Sequence, residues 1–266
     1  MKIESLFVSD VHLGLHNCKT HKFLASIRDI KCKNIFIVGD FIDCTVLEKD
    51  HEWSNYNNLI IEKFLNLMHE GSKIYYIWGN HDDFLSKWDK FALGKNIEIC
   101  RTKVYTALNQ KKYLLIHGDE FDGVIRLKFL APLQKFGAFL YDGLLWFNRV
   151  VNKIVRKLGW REKYITAFLG PKLNDLQKMT TEEAKRHKCQ GVICGHSHRP
   201  EHSTPPNQIE YLNCGDWIKS CTYIVETLEG EFKLKKFEWG KPKISVDYCN
   251  TWQQAKKKRP RWGSRT

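Results

Sequence analysis

Five short blocks of the chain concentrate residue types that bind metal ions. They are Asp10 and His12 in SDVHLG, Asp40 and Asp43 in GDFID, and Asn80, His81, Asp82 and Asp83 in GNHDD; HGDEFD then carries His117 and Asp119, and CGHSHRP carries His196 and His198. A lone Asp after an apolar run is usually a helix N-cap. Five blocks in succession, each closing an apolar run, point instead to one shared ligand site.

The elements that position these blocks follow from the pattern around them. Short runs rich in Ile, Val, Phe and Tyr read as strands: SLFVS, NIFIVG, KIYYIWG, KYLLIHG, GVICGH, IEYLNCG, TYIVETL and FKLKKFEW. Between the first three, Lys19 to Lys31 and Ser54 to Glu70 carry apolar residues at helical spacing, Leu59, Phe64, Leu67 and Met68 among them. Strand and helix in alternation predict right-handed βαβ units with parallel pairing at the start, and mixed sheets later. Ligands gather at the carboxyl ends of parallel strands, which is where the blocks fall.

Composition excludes several classes. At 266 residues with 42% hydrophobic and 13% aromatic residues, the chain is long and apolar enough for a sizeable core, so wholesale disorder is a poor reading. The first strand-like run begins almost at Met1 and is too polar for a signal sequence, and no stretch reaches the length of a membrane span. The reading is a cytoplasmic protein. Nine cysteines without a Cys-x-x-Cys pair, several inside apolar runs, read as buried reduced thiols. The net charge of +13 is concentrated: residues 124–172 hold ten Lys/Arg against two acids, and residues 251–266 hold six Lys/Arg and no acid.

Taken together, Asp-x-His, Gly-Asp-x-x-Asp, Gly-Asn-His-Asp, a downstream His and Gly-His-x-His resemble the calcineurin-like metallophosphoesterases, from Ser9 to about residue 238. The resemblance implies an α/β fold, a four-layer αββα sandwich of two mixed sheets with a helical cap insertion. It places a metallophosphoesterase domain at residues 1–250, the cap at about 121–185, and a basic tail at 251–266. It also implies a binuclear centre of two divalent cations, manganese first, with Fe, Zn, Mg or Co as other candidates, about 3.5–4 Å apart. Such cations accept mixed carboxylate, imidazole and amide-oxygen ligands. Carried over by position, Asp10, His12 and His198 hold one metal, Asn80, His117 and His196 the other, and Asp40 bridges both. His81 faces the substrate and protonates or stabilises the leaving oxygen, and Asp82 orients its ring. Asp43 and Asp119 are placed behind the ligands, supporting a histidine or a turn.

Substrate is read from the interval between Asp119 and Gly191. There Leu140, Leu144, Phe147, Val151, Ile154 and Leu158 step at helical spacing while Arg149, Lys153, Arg156 and Lys157 line another face. Packing on the core is the common fate of such a stripe, but an insertion between two ligand blocks is expected to rise beside the site as a cap suited to an anionic lipid surface or an acyl chain. HGDEFD, WFNRVVNKIVRKLGW, GVICGHSHRP and YLNCGDWIKSCT together are similar to the UDP-2,3-diacylglucosamine diphosphatase-like branch of lipid A biosynthesis. That implies pyrophosphatase cleavage of a diacylated UDP-sugar to UMP and a lipid 1-phosphate, with Arg149, Lys153, Arg156 and Arg199 as substrate or cap residues. One position departs: lipid A enzymes of the branch read Gly-Asn-Arg-Asp where this chain has His81. The alternatives are a phosphodiesterase or phosphatase acting on nucleotides, nucleic acid or another phosphoester, and a non-catalytic scaffold of the same fold. The tail QQAKKKRPRWGSRT fits a solvated segment, a peripheral contact with the inner face of an anionic membrane, or nucleic acid.

Overall fold

Alternation along the strands divides the core into three parts. In the computed structural model, which describes residues 1–50, 53–122, 173–204 and 209–238, β1 (Ser5–Val8) turns Leu6 and Val8 to one side and Phe7 to the other. β2 (Asn34–Val38) does the same with Ile35 and Ile37 against Phe36 and Val38, as the two-residue period of a strand requires. Leu6, Val8, Ile35 and Ile37 pack under Phe23 and Ile27 of α1 (Thr20–Ile27) and Ile60, Phe64 and Leu67 of α3 (Asn55–His69).

The larger sheet adds β3 (Lys73–Ile77), β4 (Phe91–Leu93), β5 (Ile97–Cys100), β11 (Thr222–Glu226) and β12 (Phe232–Lys236), in the order β12-β11-β1-β2-β3-β5-β4. β1, β2, β3 and β5 are parallel, and the other pairings are antiparallel. The second sheet runs β6-β7-β8-β10-β9, from β6 (Lys103–Thr106), β7 (Lys112–Leu115), β8 (Gly191–Cys194), β9 (Glu201–Ser203) and β10 (Glu210–Asn213). Here β7, β8 and β10 are parallel and the edges antiparallel.

Between the sheets lie Phe7, Phe36, Val38, Ile77, Tyr113, Leu115, Ile193 and Leu212. Phe7, Phe36 and Tyr75 are register partners across β1, β2 and β3, and their rings stack with centroids 4.8 Å apart at each step. Each fully buried phenyl contributes roughly 1.5–3 kcal/mol by leaving water, so this ladder fixes the register that aligns the strand ends. The far face of the second sheet, Leu114, Val192, Cys194 and Tyr211, packs with Ala184 of α4 (Leu173–Arg186). The result is the four-layer sandwich.

Two expectations change in detail. The helix α4, placed by the sequence within the cap insertion at 121–185, is the fourth layer, because Leu176, Thr180 and Ala184 recur every four residues and are all buried. The rest of the expected cap, with Arg149, Lys153 and Arg156, and the basic tail lie outside the described residues. In addition, α2 (Cys44–Asp50) and the strands β4, β5, β6 and β9 are present without having been read from the sequence. The described cysteines are mostly buried, and burial pushes the Cys194 thiol up to about 12.

Candidate metal centre

Parallel pairing brings the strand ends to one edge. Asp10 follows the end of β1 by two residues, Asp40 the end of β2, His117 the end of β7 and His196 the end of β8; Asn80 follows β3 by three. At that edge the backbone is forced into an unusual shape. Asp10, His12, Asp40, His196 and His198 all have left-handed φ, between 50° and 63°. Non-glycine residues pay for this conformation, and five of them clustered at expected ligand positions mark strain held in place by a site. Gly39 explains part of the packing: at φ 82° a Cβ there would lie 2.2 Å from His117 Nδ1, so the Gly of Gly-Asp is what lets the imidazole approach.

Among the described residues the side chains converge in three groups. Asp10, His12 and His198 form one, Asp10, Asp40 and His117 a second that shares Asp10 with it, and His12, Asp43 and His81 a third that shares His12. His198 Nε2 lies 3.1 Å from Asp10 Oδ1, His117 Nε2 lies 3.2 Å from Asp40 Oδ2, and His12 Nε2 is 3.9 Å from both carboxylates. The remaining oxygens are anchored: Asp10 Oδ2 accepts from the Ser9 hydroxyl at 2.6 Å and the His196 amide at 2.9 Å, and Asp40 Oδ1 accepts from the His81 amide at 2.8 Å. The histidines are oriented from behind. His117 Nδ1 meets the Val38 carbonyl at 2.9 Å and His12 Nδ1 meets Asp43 Oδ2 at 3.0 Å, which turns each Nε2 toward the carboxylate pair.

Electrostatics match a cation site. Burial alone would raise the Asp10 carboxyl, but the charges of His198 and His117 hold it down at about 2, and Asp40 is held low by His117 despite its burial. Burial disfavours a charged His117, yet Asp40 and Asp10 raise it well above the usual imidazole range. The site therefore attracts positive charge strongly enough to overcome desolvation.

The donor set also fits divalent cations by an independent criterion. Asp10 Oδ1, His12 Nε2, Asn80 Oδ1 and His117 Nε2 are buried without a well-formed hydrogen bond. Buried polar atoms are normally paired. These four belong to four expected ligands, and they are a carboxylate oxygen, an amide oxygen and two imidazole nitrogens, the mixture such ions accept.

The other expected residues fall into place less uniformly. His196 stacks edge-on to His117 at 5.2 Å, but its Nε2 meets Asp122 Oδ1 at 2.8 Å and it joins none of these groups. Arg199 is exposed next to His198. His81 stands edge-on to His12 at 4.8 Å.

The carboxylate on the His81 ring is Asp43, at 3.1 Å from Nδ1, with Thr45 Oγ1 at 3.3 Å. This corrects the role expected of Asp82. Asp82 is fully buried and spends both oxygens on the loop, accepting from Tyr76 Oη at 2.8 Å, Phe41 N at 3.0 Å and Gly79 N at 2.5 Å. Burial and the nearby Asp40 raise its carboxyl. Asp119 is likewise occupied, bound by Arg101 at 2.7 Å. Arg101 itself carried no sequence signal, because its partners are distant in the chain.

The sequence matches the calcineurin-like phosphoesterase family over residues 4–200. The chain belongs to that family. Members use divalent metal ions to hydrolyse phosphoric ester or anhydride bonds, and this phosphoesterase carries the corresponding His/Asp cluster. A UDP-2,3-diacylglucosamine hydrolase of Aliivibrio fischeri is 26% identical over 246 residues, covering 88% of this chain and 98% of that one. A protein of the same name from Serratia proteamaculans is 28% identical over 209 residues, covering 74% of this chain and 83% of its own. The structure of an archaeal phosphodiesterase aligns at 15% identity with a TM-score of 0.46, over 87% of this chain and 98% of that one, too loose a likeness to carry weight. No helix among the described residues is long and apolar enough to cross a membrane.

Proposed function

We propose that this phosphoesterase hydrolyses the pyrophosphate of a UDP-2,3-diacylglucosamine-like lipid, releasing UMP and a lipid 1-phosphate, at a centre of two divalent cations with manganese as the working metal. The observation that carries the reading is the pair of ligand groups joined at Asp10, with four buried donor atoms left without hydrogen bonds. The similarity to proteins named UDP-2,3-diacylglucosamine hydrolase along most of their length supports the choice of substrate.

Asp10, His12 and His198 would hold one cation, Asn80, His117 and His196 would hold the other, and Asp40 would serve both. Bound there, the cations supply Lewis-acid stabilisation of the phosphoryl group. The chain supplies the rest. Asp43 fixes the His12 and His81 rings together, and His81, whose side chain is 28% exposed, presents an imidazole at the mouth of the site where a leaving oxygen needs a proton. The basic segments at 124–172 and 251–266 suit an enzyme working on the cytoplasmic face of an anionic membrane, in peripheral contact with it.

A second reading rests on His81 itself. Lipid A enzymes of the similar branch carry Arg at this position, and the departure favours a phosphodiesterase or phosphatase acting on nucleotides, nucleic acid or another phosphoester. Release of UMP from UDP-2,3-diacylglucosamine, measured beside cyclic dinucleotides, single-stranded nucleic acid and p-nitrophenyl phosphate, separates the two. Preferential UMP release supports the lipid reading, and faster turnover of any of the others overturns it.

A further inference from the structure

The two oxygens of the buried Asp10 carboxylate have different surroundings. Oδ1 lies 3.1 Å from His198 Nε2 and keeps no well-formed hydrogen bond, whereas Oδ2 accepts from the Ser9 hydroxyl at 2.6 Å and from the His196 amide at 2.9 Å. Fixing Oδ2 leaves Oδ1 free for a cation. The two donors that fix it sit on separate loops, one after β1 and one after β8, and each needs a support of its own.

The His196 amide belongs to a strained turn. Ser197 N donates to the Gly195 carbonyl at 2.7 Å across His196, whose φ is 63°. A three-residue turn with positive φ at its centre is rare, and persists only where the surroundings hold it. Here the holding residue is Asn213, the last residue of β10 and the register partner of Cys194. Asn213 is fully buried, and its Nδ2 donates to the Gly195 carbonyl at 2.8 Å and to Ser197 Oγ at 3.1 Å, one bond on either side of His196. Tyr211 Oη at 3.2 Å and Cys194 Sγ at 3.4 Å also surround Nδ2, but its two hydrogens have shorter acceptors on the turn. Oδ1 of the same amide accepts from Gly215 N at 2.9 Å. The Gly215 carbonyl lies 3.1 Å from Ser9 Oγ, so it steadies the hydroxyl that holds Asp10.

A carboxamide has donors at one end and an acceptor at the other. In Asn213 the two ends serve two chains of contacts that meet on a single oxygen, Asp10 Oδ2. A carboxylate at this position could not donate to the turn, and a leucine could serve neither end. We propose that Asn213 is a positioning residue for the metal centre, touching neither cation nor substrate, which sets the Asp10 carboxylate by holding the His196 turn with Nδ2 and the Gly215–Ser9 link with Oδ1. The role rests on the two-cation reading above, and adds to it a residue outside the ligand set.

The test is calorimetric titration of the chelated full chain with Mn²⁺, at a temperature well below the melting point of every variant. Asn213→Asp keeps the size and the acceptor and loses both donors; its Mn²⁺ affinity is expected to fall about 10–100-fold, the usual scale for a residue that supports a ligand. Asn213→Leu loses both ends and is expected to bind at least as weakly. Ser9→Ala interrupts the other arm with Asn213 intact; it is expected to weaken Mn²⁺ roughly tenfold, and it decides the case alone if neither Asn213 variant folds. Tyr211→Phe removes a hydroxyl at the same buried spot without touching the turn, and is expected to lower the melting temperature and leave Mn²⁺ affinity unchanged. In the loaded protein, the exchange-coupled electron paramagnetic resonance signal of a pair of Mn²⁺ ions is expected to fade in the Asn213 variants and to persist in Tyr211→Phe. Unchanged Mn²⁺ affinity in Asn213→Asp or in Ser9→Ala, or equal weakening by Tyr211→Phe, overturns the proposal and leaves Asn213 a support of the fold. A wild type that binds no Mn²⁺ overturns the two-cation reading itself, whereas normal wild-type binding with unaltered variants sinks the role of Asn213 alone.

Discussion

Asp43 Oδ1 lies 3.1 Å from His81 Nδ1, and the other oxygen of the same carboxylate lies 3.0 Å from His12 Nδ1. One buried acid thus sets both the His12 imidazole, which faces Asp10 and Asp40, and the neighbouring His81 imidazole. Burial would raise its carboxyl, but the hydrogen bonds from His12 and His81 hold it below the usual range, so it stays ionised at working pH.

Asp43→Asn keeps the shape and removes the charge. Loss of such a supporting carboxylate typically costs about 10–100-fold in metal affinity or activity. A negative charge beside His81 favours its protonated ring, so removing it is expected to move the alkaline limb of the kcat/KM profile to lower pH. Asp82→Asn, by contrast, is expected to lower the melting temperature through the loop contacts to Tyr76, Phe41 and Gly79, with the limb in place. A shift of the limb in the Asp82 variant and none in the Asp43 variant would reverse the assignment.

Metal dependence follows from Asp40. Its oxygens face His117 and, more distantly, His12, and Asp40→Ala removes the carboxylate that lies between these two imidazoles. Several kcal/mol of charge stabilisation are at stake, and with about 1.36 kcal/mol per decade a loss of roughly a thousandfold or more in kcat is expected. Elemental analysis is expected to find fewer than two metals per chain. Binding should also weaken as pH falls. His117 and His198 are raised by Asp40 and Asp10, so their protons compete with a cation, and affinity climbs with pH until both are deprotonated. Titration of chelated protein with Mn²⁺ across pH 5.5–8 measures this directly, and a flat profile would contradict it.

The clustering of the candidate residues was readable because each block follows a strong apolar strand by a short step, and strand ends are where a parallel sheet collects ligands. Asp43 was not readable as the partner of His81, since the adjacent Asp82 is equally plausible in one dimension and only the fold shows it turned back into its own loop. The strands β4 and β6 escaped because they are short edge strands with exposed or alternating residues, FAL and KVYT, that carry little of the Val/Ile signal of β1 and β2. α4 was absorbed into the expected cap because a helical stripe tells which face is buried and not which neighbour buries it.

Gly195 offers a test of packing at the centre. A Cβ there would lie 2.4 Å from both Asp10 Oδ2 and Ser9 Oγ. Gly195→Ala must therefore push the Asp10 carboxylate off its anchor. Overpacking of this kind costs roughly 1–3 kcal/mol, so a lower midpoint in urea is expected together with weakened metal binding. Unchanged metal affinity would show that Asp10 tolerates displacement.

Arg101 ties together the loops that carry Asn80 and His117. Its guanidinium donates to the Trp78 carbonyl at 2.7 Å and to Asp119 Oδ1 at 2.7 Å, reaches Glu120 Oε2 at 3.0 Å, and lies 4.2 Å over the Trp78 ring. Trp78 is two residues before Asn80, and Asp119 is two residues after His117. A planar fork serves both loops at once, which an ammonium group cannot do. Arg101→Lys is therefore expected to keep the charge and still lose about 1.5–3 kcal/mol of stability, the usual range for hydrogen bonds to charged groups. The affinity of the cation proposed at Asn80 and His117 should fall while that of the other is preserved, because the Arg101 side chain bonds to Trp78, Asp119 and Glu120 and not to the loops of Asp10, His12 and His198. Equal weakening of both cations in a two-site titration would make Arg101 a general stabiliser of the fold and not a clamp on the Asn80 and His117 loops.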